Sequence, residues 1–209
     1  VAFADILKQT GAQLVDSDHR LLIDARDCQP RGIDVDMKHI SDTVMSLAAI
    51  APLLSGPTTI RNIGNIRIKE TDRLAATVTE LRRLGQTVDH GDDWLRIEPA
   101  PLRPATITCY DDHRMAMSFA VLAAATGAVT IEDPACVSKT YPRFWDDLAL
   151  VYRQAEQEPG IAFGRVVDRL GVGQQHAEAG AEFQELMPVP VGAGQAAHLQ
   201  AEDQPDVVE

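Results

Sequence analysis

The sequence predicts an α/β protein built from strand–helix–strand–helix–strand–strand (βαβαββ) units. Three observations carry this. Short β-branched runs alternate with segments of helical period over the first 153 residues. LKQTGAQLVDSDHRLLI at 7–23 aligns with LRRLGQTVDHGDDWLRI at 81–97, and in both a helix ends at glycine and a hairpin follows. DVDMKHISDTVMSLAAIAPLLSGPTTIRN at 34–62 aligns with 105–133, which brings Gly56, Thr59 and Ile60 onto Gly127, Thr130 and Ile131. On this reading the chain holds the end of one unit, one whole unit and most of a third. Such repeats bury their apolar faces against one another.

The elements follow in order. Residues 3–10 read as the end of a helix stopped by Gly11. Segments 13–16 and 20–24 read as a hairpin across Ser17 and Asp18, and 33–37 as a short strand. Ser41 is placed to cap a helix running to Leu54, with Met45, Leu47, Ala48 and Ala51 on its apolar face. Gly56-Pro57 punctuates, and 58–63 is a β-branched strand. A second helix spans 70–84, with Leu74, Val78 and Leu81 on one face and Gly85 at its end. Strands at 87–90, 94–98 and 105–109 follow, then a helix at 112–125, a strand at 129–132 and a helix at 141–152.

Composition changes near Arg153. Residues 1–153 hold 17 basic and 21 acidic side chains, whereas 154–209 hold 2 and 10. The second segment is rich in Gln, Ala, Gly and Glu and is interrupted by Pro188, Pro190 and Pro205. It is expected to be a disordered, low-complexity acidic tail, with 163–170 its helical candidate. The chain starts at Val1 inside a helical pattern, and on that ground a fragment or processed product is expected.

Charge and cysteine content exclude several classes. A formal net charge of -12 argues against nucleic acid as a partner, because its phosphates would be repelled. No run of 18 apolar residues is present, so no membrane span is expected. Cys28, Cys109 and Cys136 show no metal-ligand spacing and fit small hydrophobes in a reducing compartment.

Against that acidic background, two basic clusters stand out. The segment 62–73, NIGNIRIKETDR, sets Arg67, Lys69 and Arg73 beside Glu70 and Asp72. With Glu70 in a first helical turn, Lys69, Glu70 and Arg73 would converge at one helix mouth, where amides and a guanidinium can hold a phosphate. A surface ion pair between Glu70 and Arg73 is the plainer reading. His113 and Arg114 also open a helix, a mildly unfavourable place for cations that a bound anion, or Asp111 and Asp112, would offset. Asp42 occupies the position equivalent to His113 in the repeat, and Lys139 lies in a strand-to-helix loop. A capping carboxylate and a solvated lysine are the plain readings there.

NIGNIRIKETDRLAA at 62–76 and YDDHRMAMSFAV at 110–121 closely resemble the signature segments of the 3-phosphoshikimate 1-carboxyvinyltransferase, or EPSP synthase, family. DVDMKHISDTVMSLA at 34–48 and DPACVSKTYPRFWDDL at 133–148 resemble the same family in the same order. The likeness covers residues 3–153 and corresponds to the carboxy-terminal portion. It implies the enolpyruvate transferase fold, an inside-out α/β barrel of two domains, each of three βαβαββ units. Residues 1–153 would be part of one domain and 154–209 an appended tail, either genuine or misread, that resembles nothing in the family.

The resemblance implies transfer of the enolpyruvyl (carboxyvinyl) group of phosphoenolpyruvate to the 5-hydroxyl of shikimate 3-phosphate, with release of phosphate. It implies no metal and no organic cofactor. It also implies a cytoplasmic enzyme of aromatic amino acid biosynthesis, monomeric when complete, with small-molecule substrates and neither nucleic acid nor membrane as partner. Carried over by motif, Asp42 and Glu70 would be catalytic. Arg73, Arg114 and Lys139 would bind phosphoenolpyruvate. Asp42, Asn65 and Lys69 would bind shikimate 3-phosphate. The family's other domain, with its amino-end lysine and arginine and its Ser-Ser-Gln phosphate site, is missing from this sequence. The isolated chain is therefore expected to be inactive. Two alternatives stay open: a non-catalytic anion-binding module of the same fold, and an enzyme like UDP-N-acetylglucosamine 1-carboxyvinyltransferase.

Overall fold

The structure, a computed structural model, describes residues 2–17, 20–24 and 28–157. The amino end is helix α1 (Ala2–Gln9), followed by the antiparallel hairpin β1 (Gln13–Ser17) and β2 (Arg20–Asp24). Then come β3 (Asp34–Asp36), α2 (Val44–Ile50), β4 (Thr58–Arg61), α3 (Arg73–Arg83), β5 (Thr87–His90) and β6 (Leu95–Glu98). Next are β7 (Ala105–Ile107), α4 (His113–Thr126), β8 (Val129–Ile131) and α5 (Phe144–Gln157). The run from β3 to β6 has the element order strand–helix–strand–helix–strand–strand.

Pairing follows the crossovers. β3 and β4 are parallel across α2, and β7 and β8 are parallel across α4. The β5–β6 hairpin folds back antiparallel onto β4, giving a sheet ordered β3-β4-β6-β5. The spacing seen in the sequence recurs in the backbone: Gly56 and Gly127 both take positive φ, 82° and 65°, where only glycine sits without strain. Gly11 and Gly85 likewise take positive φ just past α1 and α3, as helix-ending glycines do. Among the described residues the strands form sheets of two, four and two strands, a mixed α/β arrangement as predicted, and none of them closes into a barrel.

Helix packing carries the core, because strands of three residues provide few ladder bonds. Met45, Leu47, Ile60, Leu74, Leu81 and Phe119 are fully buried in one cluster. Burying a side chain of this size contributes roughly 1.5–3 kcal/mol. α2 lies against α4, with Ser46 Oγ 3.2 Å from Ser118 Oγ. Leu74, Val78 and Leu81 all face inward from α3, as the 3.6-residue period requires.

Three sequence readings need correction. Ser41 does not cap a helix: residues Lys38–Thr43 form a 3-10 turn, kinked at Ile40, and α2 starts only at Val44. The Ser41 hydroxyl is instead the acceptor for Asn65 Nδ2 at 2.7 Å. Glu70 is not in the first turn of α3, which starts at Arg73 with Asp72 as its cap. The last helix starts at Phe144 rather than residue 141 and runs to Gln157, past the expected helix end at residue 152. The stretch 153–157, RQAEQ, is made of good helix formers, so nothing local stops the helix there. The tail reading beyond Gln157, including 163–170, lies outside the described residues.

Candidate active site

The site is built where three strand-to-helix connections meet. Asp72 ends the connection after β4, and its carboxylate accepts the Ala75 amide at 2.9 Å, satisfying one free donor of the first turn. The same carboxylate accepts from Arg67 Nη1 at 2.8 Å, and Arg67 also donates to the Gly91 and Asp92 carbonyls. Asp72→Ala is therefore expected to destabilise the fold by about 1 kcal/mol, and Asp72→Asn by less, read from denaturant midpoints. A helix starting at Glu70 would make Asp72→Ala near neutral.

With the helix start fixed at residue 73, Arg73 points inward and is only 1 % exposed. Its Nε and Nη2 reach the two Asp112 oxygens at 2.7 and 3.3 Å. Nη1 reaches Asp42 Oδ1 at 3.2 Å, and Nη2 reaches Glu70 Oε2 at 2.6 Å. One guanidinium thus joins carboxylates from three connections. A planar fork with five donors suits this role, and an ammonium does not.

Asp42 is the second node. Its Oδ2 and backbone carbonyl accept from Arg114 at 3.2 and 3.3 Å, and Lys69 Nζ lies 3.7 Å from Oδ1. Asp112 caps α4 by accepting the Arg114 amide at 2.8 Å, so one residue fixes both Arg73 and the helix that carries Arg114. Burial pushes the Asp112 carboxyl up, but the hydrogen bond from Arg73, the Arg114 amide and the Arg73 charge outweigh it. The result lies below the ordinary 3.8. The stability that Asp112 contributes is present above that value and is lost as pH falls below it.

The structure brings Asp42, Glu70, Arg73, Lys69 and Arg114 together directly. Lys139 joins through the backbone: its Nζ donates to the Asp111 carbonyl at 2.8 Å, next to Asp112. Asn65 stands one step away, attached through Ser41 beside Asp42. An open pocket next to Asn65 is lined also by Lys38, His39, Asn62 and Asp93. It flanks the charged cluster and does not contain it.

Exposure divides the cations. Arg114, Lys69 and Lys139 are about a third to a half exposed at 35, 38 and 45 %, and can turn toward a ligand. Four of the five Arg73 N–H groups are held by Asp112, Asp42 and Glu70, so it can meet an anion with the remaining Nη1 hydrogen or with one now held by Asp42 or Glu70. In place of helix-mouth amides, then, the site offers three solvent-facing cations over a buried fourth. Among the described residues no group of three or more His, Cys, Asp or Glu side chains is placed to hold a metal ion.

Some participants were not assigned from sequence. Asp112 had a signal, an acidic residue directly before an apolar helical run. In the sequence His113 stands out only as a cation at a helix start. It is 7 % exposed, its Nδ1 has no hydrogen-bond partner, and it faces Glu70 Oε1 at 4.0 Å. Before them, Tyr110 and Asp111 take φ of 57° and 52°, a left-handed pair that costs about 1–3 kcal/mol per residue.

The family described as EPSP synthase (3-phosphoshikimate 1-carboxyvinyltransferase) matches residues 1–148. The chain belongs to the EPSP synthase family. The 3-phosphoshikimate 1-carboxyvinyltransferase of Nostoc punctiforme is 50% identical over 145 residues, covering 69% of this chain and 34% of that protein. That of Serratia proteamaculans is 47% identical over 154 residues, covering 73% and 36%. The chain thus spans about a third of the length of the curated EPSP synthases it matches. The solved EPSP synthase of Acinetobacter baumannii superposes with a TM-score of 0.62 at 23% identity, over 71% of this chain and 38% of that one. At that identity the likeness speaks for a shared EPSP synthase fold alone.

Proposed function

We propose that this chain forms one wall of the active site of a 3-phosphoshikimate 1-carboxyvinyltransferase. The reaction carries the enolpyruvyl group of phosphoenolpyruvate to the 5-hydroxyl of shikimate 3-phosphate and releases phosphate. The observation that supports this best is the cluster in which Arg73 joins Asp42, Glu70 and Asp112 while Arg114 and Lys69 lie on Asp42. Carboxylates able to move protons sit there beside cations able to hold a phosphate.

The chemistry assigns the roles. Phosphoenolpyruvate carries a phosphate and a carboxylate, which suit the Arg114 fork, the Lys139 ammonium and the N–H groups Arg73 can release. Asp42 takes the proton of the attacking 5-hydroxyl, with Asn65 and Lys69 holding shikimate 3-phosphate. Glu70 gives a proton to the methylene carbon as the new C–O bond forms, and a tetrahedral adduct results. In the second half Glu70 takes a proton back from the methyl group, the double bond returns and phosphate leaves toward the cations. Glu70 thus ends protonated as it began, and the hydroxyl proton taken by Asp42 leaves with the phosphate.

In this reading residues 1–153 belong to a domain of βαβαββ units arranged as an inside-out barrel. The complete enzyme is monomeric and cytoplasmic and closes a second domain over the cleft, which excludes water and strengthens the electrostatics. The test is phosphate release from the two substrates, measured with the 209-residue chain alone and with a polypeptide covering the remaining length of its relatives. Turnover is expected only for the pair. Binding of phosphoenolpyruvate without turnover by the pair would leave an anion-binding module. Turnover with UDP-N-acetylglucosamine in place of shikimate 3-phosphate would change the acceptor.

A further inference from the structure

We infer that Glu80 is a positioning residue for the anion-binding cations, acting through the left-handed turn Tyr110–Asp111; the role rests on the function proposed above. Glu80 is completely buried two helical turns along α3 from Arg73, and no step of the chemistry uses it. Its Oε1 accepts from the Tyr110 hydroxyl at 2.7 Å, and its Oε2 accepts from the Thr108 amide at 3.3 Å. Arg83 Nη1, at 3.2 Å, balances its charge. An apolar residue of similar volume would serve stability alone at least as well as a buried carboxylate. What Glu80 adds is a grip on a particular stretch of backbone.

That stretch needs holding. Tyr110 and Asp111 both sit at positive φ, a region that disfavours every side chain but is open to glycine. Arg73, Thr77 and Glu80 recur at helical spacing on one face of α3. Arg73 holds the far side of the turn at Asp112, Thr77 Oγ1 lies 3.6 Å from Met115 Sδ, and Glu80 holds the near side. Burial, and then Glu80 itself, push the Tyr110 phenol up to about 12, so it remains a donor at neutral pH. The turn in its left-handed shape presents the Asp111 carbonyl to Lys139 Nζ and sets Asp112 at the Arg114 amide. Relaxing it displaces the seats of Lys139 and Arg114 while leaving both side chains intact.

The test uses Tyr110→Phe, which removes only the hydroxyl, in the 209-residue chain. Backbone amide shifts and hydrogen exchange are expected to change at Asp111, Asp112, Arg114 and Lys139, with cooperative unfolding retained. Phosphoenolpyruvate binding is expected to weaken about tenfold, the scale of one hydrogen bond to a charged group. Glu80→Gln has one acceptor oxygen where the carboxylate uses two, so it can accept from Thr108 or from Tyr110 but not both, and it is expected to move the same four amides in the same direction. Adding Asp111→Gly to Tyr110→Phe should recover most of the affinity, because glycine takes the turn unaided and keeps the carbonyl that holds Lys139 at 2.8 Å, losing only the exposed carboxylate at 3.6 Å. A merely stabilising Glu80 would give no such rescue. Unchanged amide spectra at these four residues in Tyr110→Phe would overturn the inference, with or without ligand. Altered spectra in a chain whose parent binds no phosphoenolpyruvate would uphold the positioning and overturn the proposed function instead.

Discussion

Arg73→Met is expected to destabilise the folded chain by about 3–5 kcal/mol, the scale for removing one partner of a buried ion pair. The reason lies with Asp112, which is fully buried and receives two of the guanidinium bonds. Without Arg73, that carboxylate keeps its cap bond to the Arg114 amide but loses its only buried counter-charge among the described residues. The lowering of its pKa would then disappear, and with it the stability it contributes above the ordinary 3.8. Asp112→Asn added to Arg73→Met should recover much of the loss, since asparagine caps a helix about as well and is neutral. The measurement is the denaturant midpoint of the single and double variants at neutral pH. A loss below about 1 kcal/mol for Arg73→Met, the scale of exposed pairs, would mean that the pair is solvated and that Arg73 is free to serve a ligand directly.

What the sequence made legible was what depends on local period. The inward face of α3 and the two hairpins rest on apolar spacing or on turn glycines and can each be read within a short window, and the 71-residue recurrence emerges when two such windows are aligned. The helix starts were misread for a physical reason. ISDT and KETD both offer several residues able to cap, and a sequence does not say which hydroxyl or carboxylate meets a free amide. Ser41 turned out to accept from Asn65, and Asp72, not a residue ahead of Glu70, closes α3. The motifs did place Asp42, Glu70, Arg73 and Arg114 in one cluster. They did not show that Arg73 is its buried centre, because the partner that buries it, Asp112, lies 39 residues away. A separation of 30 residues likewise hid the link from Glu80 to Tyr110.

Glu70→Ala is expected to lower kcat of the completed enzyme by about 10²- to 10⁴-fold, the usual contribution of a positioned acid–base group, while phosphoenolpyruvate affinity changes little. The geometry separates this effect from damage to the fold. Glu70 is 41% exposed, so its bond to Arg73 is that of a partly solvated pair and contributes at most about 1 kcal/mol. Arg73 keeps Asp112 and Asp42 when Glu70 is removed. On the proposed mechanism, however, the rate needs a carboxyl at that place: one oxygen is fixed by Arg73 at 2.6 Å and the other faces the unpartnered His113 Nδ1 at 4.0 Å. Glu70→Gln keeps the shape and the bond from Arg73 but cannot carry the proton, so it should be nearly as slow as Glu70→Ala. The two variants therefore divide the possibilities. A Gln variant that retains parental turnover would reduce Glu70 to a holder of Arg73 and move the proton transfer to another group.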